Sequence, residues 1–149
     1  MTNSIYRTMD IQLVIEEYHQ ALDIFSRGNP EPVKNLYSHS DEIMLANPFG
    51  STVKGWKLVS EALDFASSRF GDGKVKSFER IATYKTNDLL IIFEIEKWTS
   101  KVGGKSEISS FDLRVTSTFR NENDNWKLVH RHADPIASFN DKGPIRGDL

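Results

Sequence analysis

The feature that most restricts the fold is a change of period near Lys74. Before it, apolar residues recur at three- and four-residue spacing; after it they alternate. The first pattern lays apolar side chains along one face of a helix, and the second lays them on one side of a strand. Helices followed by a run of strands describe an α+β domain, in which the helices cover one face of an antiparallel sheet.

In the helical half, residues 8–27 place Ile11, Val14, Ile15, Tyr18, Leu22 and Phe25 on one face. Thr8 or Asp10 can cap the start, and Gly28 can stop the helix in the left-handed conformation. Asn29-Pro30 opens a short second helix. A brief strand at 42–46 is broken by Asn47-Pro48-Phe49-Gly50. A third helix at 55–68 aligns Val59, Ala62, Leu63 and Ala66, with Trp56 at its mouth.

The second half predicts strands at 75–84, 89–98, 108–120 and 126–133. Turns fall at Thr86-Asn87-Asp88, at Gly103-Gly104 and within 121–125. Strands this long coil strongly, and a coiled sheet wrapped around a helix leaves a concave cavity suited to a small molecule. The whole chain, 1–149, reads as one domain, with 1–8 and 137–149 as flexible tails.

The last strand concentrates the chemistry: Trp126-Lys127-Leu128-Val129-His130-Arg131-His132-Ala133-Asp134-Pro135. Strict alternation puts Trp126, Leu128, His130, His132 and Asp134 on one face, and Lys127, Val129 and Arg131 on the other. The tryptophan and leucine mark the first face as inward, which leaves Arg131 outside. With Arg120 opposite Trp126, Thr116 falls opposite His130 and Arg114 opposite His132, a polar cluster on the cavity side. A slip of one residue turns the Phe111, Leu113, Val115 and Phe119 face inward instead. The polar-in register is the expectation here. On the strand before, Glu94, Glu96 and Trp98 share a face, and Glu96 is the acid expected to reach Arg114 or a histidine. A carboxylate beside an imidazole fixes its tautomer and raises its basicity, as acid–base catalysis requires. His19 and His39 read as surface residues. The three tryptophans read more readily as core than as a ligand cage.

These segments resemble the SnoaL-like and ketosteroid isomerase-like proteins of the nuclear transport factor two-like superfamily, over about 10–136. The resemblance rests on Asn47-Pro48-Phe49-Gly50 with Lys54-Gly55-Trp56, on Phe93-Glu94-Ile95-Glu96-Lys97, and above all on the span from Leu113-Arg114-Val115-Thr116 through Asp134-Pro135. It implies a cystatin-like cone, with N-terminal helices packed on a strongly curved antiparallel sheet around a pocket, and a homodimer formed through the sheet. It implies that Glu96, Arg114, Thr116, His130 and His132 lie near the pocket, with Tyr18 and Trp56 at its wall and mouth. The resemblance stops short of steroid isomerisation, which needs a carboxylate base and an oxyanion hole of a tyrosine and a protonated acid. Tyr18 could serve as the tyrosine, but no acid falls at an evident base position.

Two functions follow. One is a cofactor-free isomerase, cyclase, dehydratase or hydrolase acting on a hydrophobic, oxygenated substrate. His132 or His130 would be the acid/base, Glu96 the base or orienting group, and Arg114 the holder of an anionic oxygen. Thr116, Tyr18, Trp56, Trp98 and Asp134 would contact the ligand. The other is a non-catalytic ligand-binding or assembly module of the same fold. His130, His132 and a carboxylate could form an iron-type ligand set, but the resembling family does not usually need a metal, and none is assigned. A net charge of −2 without a basic block gives no phosphate-backbone footprint. The longest apolar run, 89–93, is far shorter than the about 20 residues that cross a bilayer, and residues 1–10 carry no apolar signal segment. The absence of cysteine removes disulfides, thiolate metal sites and cysteine nucleophiles and fits a cytoplasmic protein.

Overall fold

A computed structural model describes residues 4–50, 52–136, 139–140 and 143–144. Helix α1 (Ser4–Phe25) is followed by α2 (Glu31–Leu36), the short strands β1 (Met44–Ala46) and β2 (Thr52–Lys54), and α3 (Trp56–Ser68). The long strands β3 (Phe70–Lys85), β4 (Leu89–Val102), β5 (Ile108–Glu122) and β6 (Asn125–Pro135) come next, then a two-stranded ribbon of β7 (Phe139–Asn140) and β8 (Gly143–Pro144). The expected tails fall mostly on residues outside those described. Within the described part, α1 begins four residues earlier than the alternation of its apolar face indicates, and β7 pairs with β8.

The main sheet has the order β2-β1-β6-β5-β4-β3. Neighbours are antiparallel except β1, which runs parallel to β6 and sets Leu45 opposite Arg131. The local signals account for the short elements. Asn29 Oδ1 accepts the Glu31 N–H at 3.1 Å at the start of α2, and Gly28 takes φ +96° just beyond α1, a conformation that costs glycine little. Strand β3 has three register shifts against β4, at 71–74, 75–77 and 80–82. Each extra residue adds local twist, and together they curl the sheet around the helices.

The core lies inside that curl. Helix α1 contributes Tyr18, Ala21, Leu22 and Phe25, α3 contributes Val59, Leu63 and Ala66, and the sheet contributes Leu90, Ile92, Leu113, Val115, Phe119, Trp126 and Leu128. Fully burying each large apolar side chain stabilises the fold by about 1.5–3 kcal/mol. This is the helix-covered α+β cone that the change of period implied.

Candidate functional site

Strand β4 sends Leu90, Ile92, Glu94, Glu96, Trp98 and Ser100 to the inside, all buried. Two carboxylates therefore enter an apolar layer, and each needs cationic partners to stay charged there. Glu96, with no exposed surface, is gripped by Arg131 through two parallel bonds: Nη1 to Oε2 and Nη2 to Oε1, both 2.8 Å. The indole Nε1 of Trp98 donates to Glu96 Oε1 at 2.9 Å. Arg131 Nη1 also donates to the Tyr18 hydroxyl at 2.6 Å, and that hydroxyl lies 2.5 Å from Ser117 Oγ. Burial works against the Arg131 charge, but Glu96 and Tyr18 outweigh it and hold the guanidinium pKa well above its ordinary value. Burial pushes the Tyr18 phenol up to about 12 despite the neighbouring arginine.

The two histidines do not join this cluster, which corrects the polar-in expectation. Strands β5 and β6 are joined by a two-residue turn at Asn123 and Asp124, both at positive φ. Asn121 rather than Arg120 therefore faces Trp126, and Phe119 faces Leu128. The ladder then slips: Thr118 pairs with His130, leaving Val129 as an extra residue. Beyond the bulge the faces exchange. Arg131 and Ala133 are buried, while His130, His132 and Asp134 lie on the outer face of the sheet. His130 Nδ1 is 3.0 Å from Thr118 Oγ1, and burial, followed by the nearby His132, lowers its pKa. His132 Nε2 lies 2.9 Å from Asp134 Oδ2, both side chains about half exposed at 51% and 52%. Arg114 is exposed opposite Asp134, and Thr116 is half-buried opposite His132. Arg114 therefore cannot be the partner of Glu96, whose cross-strand neighbour is Leu113. Trp56 is half-buried and stacks on His39, ring centres 3.7 Å apart. Of the expected ligand contacts, Trp98 reaches the cavity and Tyr18 stands behind Arg131.

The cavity is small, about 40 Å³, room for about three waters. Leu22, Phe25, Val33, Leu45, Leu63, Ala66, Trp98, Leu113 and Ala133 form its walls, Arg131 closes one side, and Asn47, Pro48, Phe49 and Phe70 complete it. Pro48, Phe49 and Phe70 also border a larger outer hollow of about 410 Å³, whose other walls are Arg69, Val102, Gly103, Lys105, Ser109, Ser110 and Phe111. Pro48, Phe49 and Phe70 are thus common walls of the outer hollow, the vestibule, and the inner cavity, the chamber.

A second polar group went unread in the sequence. His19, expected at the surface, lies 2.9 and 3.1 Å from the two oxygens of Glu94 through Nε2. Its ring stacks on Phe78 at 3.7 Å. Arg80 Nε donates to Glu94 Oε2 at 3.0 Å. The available signal was the Glu94/Glu96 pair itself, since two acids on one inward face call for two cationic partners. Burial raises the Glu94 pKa, but the bonds from His19 and Arg80 more than offset this and hold it below its ordinary 4.5. A folded-state pKa below the unfolded one gives stability that is present above the unfolded value and is lost as pH falls through the folded value. Thermal melts across roughly pH 6 to 3 should show wild type losing stability on the acid side of 4.5. Glu94→Gln should start lower and change less over that interval; parallel curves would remove Glu94 as the source.

Among the described residues, no three His, Asp or Glu side chains converge as a metal site, and no helix is long and apolar enough to cross a membrane.

Residues 11–138 match the family model of the SnoaL-like domain. None of the curated proteins matches significantly. Solved structures are similar in fold. One is a nuclear transport factor 2 (NTF2-like) superfamily protein from Salmonella enterica serovar Typhimurium, with 17% identity, 93% of this chain and 97% of that one covered, and a TM-score of 0.75. A candidate dehydratase of the NTF2-like family from Streptomyces avermitilis has 18% identity, coverage of 87% and 96%, and a TM-score of 0.69. A ketosteroid isomerase-like protein from Erwinia carotovora atroseptica has 15% identity, coverage of 86% and 95%, and a TM-score of 0.70. At these identities the likeness is one of fold.

Proposed function

Because the chain belongs to the SnoaL-like domain family, whose fold hosts both catalysts and binders, we propose that it is a small-molecule-binding protein whose ligand enters through the vestibule, with its apolar body directed toward the inner chamber. The observation that carries this reading is the state of Arg131. It is the charged side chain of an otherwise almost wholly apolar chamber, and its guanidinium is already committed to Glu96 and Tyr18. A chamber whose polar group is satisfied internally offers packing rather than an imidazole acid or base. The vestibule, at about 410 Å³, falls within the roughly 300–1,000 Å³ of small-molecule sites.

The same reading includes a homodimer through the outer face of the sheet. There Ile91, Phe93 and Ile95 are half-buried in a row beside the exposed Tyr84, an apolar stripe of the kind a second copy covers. The lack of cysteine supports a cytoplasmic setting.

One observation favours a catalytic version. Trp98 and Arg131 both touch Glu96 and both line the chamber. A substrate oxyanion that drew Arg131 away would free a buried carboxylate as a base for isomerisation, cyclisation, dehydration or hydrolysis.

Native mass spectrometry of gently purified protein tests the main reading. The expected spectrum is a dimer carrying an apolar small molecule that dissociates on collisional activation. A bare dimer that also takes up no compound from an apolar library would overturn ligand binding, and a monomer at micromolar concentration would overturn the dimer.

A further inference from the structure

We infer that the vestibule is built for an aromatic carboxylic acid, its ring lying on an aromatic shelf and its carboxylate held between Arg69 and Lys105. This rests on the ligand-binding reading and names the class of ligand. The shelf consists of Phe70 and Phe111, which both line the vestibule, with ring centres 6.0 Å apart and planes 16° from parallel. Trp98 backs them from the chamber, 5.8 Å from Phe111 at 24° and 5.2 Å from Phe70 at 36°. Aromatic rings at the wall of an open hollow give a planar ligand a surface to stack on.

The charge comes from the rim. Arg69 and Lys105 line the vestibule, and no carboxylate does. Glu107 is exposed in the same hairpin loop but is not part of that lining. Lys101, close by in sequence, is by contrast paired with Asp72. Among the described residues, no carboxylate is bonded to Arg69 or Lys105. Arg69 lies against the hairpin loop. Its carbonyl accepts the Gly103 N–H at 2.8 Å, and its guanidinium lies so close to Gly103 that a Cβ there would come within 2.7 Å of Nη2. Two uncommitted cations beside two serines, at the edge of an aromatic hollow, suit an anionic head on an aromatic body.

The test is calorimetric titration with three naphthalenes that share a ring and differ in the head: 2-naphthoate, 2-naphthylmethanol and 2-naphthylmethylamine. The acid should bind roughly tenfold or more tightly than the alcohol, the amine should bind weakest, and the acid's advantage should shrink as salt is raised. Arg69→Gln and Lys105→Gln, both at the surface, should each erase most of that advantage while leaving the alcohol unchanged. Gly103→Ala should do so indirectly, by displacing Arg69. Equal binding of acid and alcohol, or full acid affinity in the Arg69→Gln/Lys105→Gln double variant, would overturn this inference and leave the pocket reading standing. Failure of all three compounds to bind wild type would overturn both.

Discussion

Arg131→Met is expected to lose about 3–5 kcal/mol of folding stability, because it leaves Glu96 charged in the core without its counter-ion. Glu96 has no exposed surface, and of its three close donor contacts two belong to Arg131. The cost is the desolvation of a stranded carboxylate and not the attraction of the pair, and that distinction can be measured. Removing both charges in Arg131→Met/Glu96→Leu should restore much of the loss, since a packed apolar pair of similar volume is often as stable as the ionic one. Urea midpoints of the single and double variants, at unchanged slope, give the answer. A single variant within about 1 kcal/mol of wild type would mean that Glu96 is hydrated or repaired by another group.

That ion pair is also where sequence and structure part company. The helix faces were legible because burial of Leu22, Phe25, Val59 and Leu63 follows directly from a 3.6-residue period. The long strands were legible because alternation in 89–98 and 108–120 leaves few other choices. The orientation of β6 was not. Alternation from Trp126 and Leu128 runs on through His130 and His132, whereas the chain takes one extra residue at Val129 and continues through Arg131 and Ala133. Both tracks are acceptable locally, and a bulge carries no composition of its own. Two longer-range constraints decide the matter. Asn123 and Asp124, residue types that tolerate positive φ, make a two-residue turn that fixes Trp126 against Asn121. Glu96, fixed inward by β4, requires a cation, and Arg131 meets that need only beyond a bulge. Arg69 was hidden for a different reason. Its place against Gly103 joins the end of α3 to a hairpin thirty-odd residues later, and neither segment implies the other.

Gly73→Ala is the other change expected to have a large effect, and it acts through the backbone. Gly73 lies in the first irregular stretch of β3 and is buried. A Cβ there would fall 2.3 Å from the Ser26 carbonyl oxygen, 2.8 Å from Ser100 Oγ and 2.8 Å from the Thr99 carbonyl oxygen. Two of these atoms are main chain, so no rotamer change relieves the overlap, and the cost should reach or exceed the upper end of the about 1–3 kcal/mol usual for overpacking. At about 3 kcal/mol, a domain of this size should melt about 6–12 °C lower. Gly71→Ala is the matched control. Its Cβ would lie 3.9 Å from the Lys101 side chain, an ordinary contact, and its φ is not positive, so it should be neutral or slightly stabilising. The effect should also reach the ligand site. Ser26 directly follows α1 and its chamber-lining Phe25, and Ser100 stands two residues before the Val102–Gly103 rim of the vestibule. Forcing Ser26 and Ser100 away from Gly73 must move one wall or the other. Gly73→Ala should therefore weaken 2-naphthoate and 2-naphthylmethanol together, unlike Arg69→Gln, which should weaken the acid alone. If Gly73→Ala melts with Gly71→Ala and binds both compounds normally, the close approach of the α1 terminus to β3 and β4 is not what holds these walls in place.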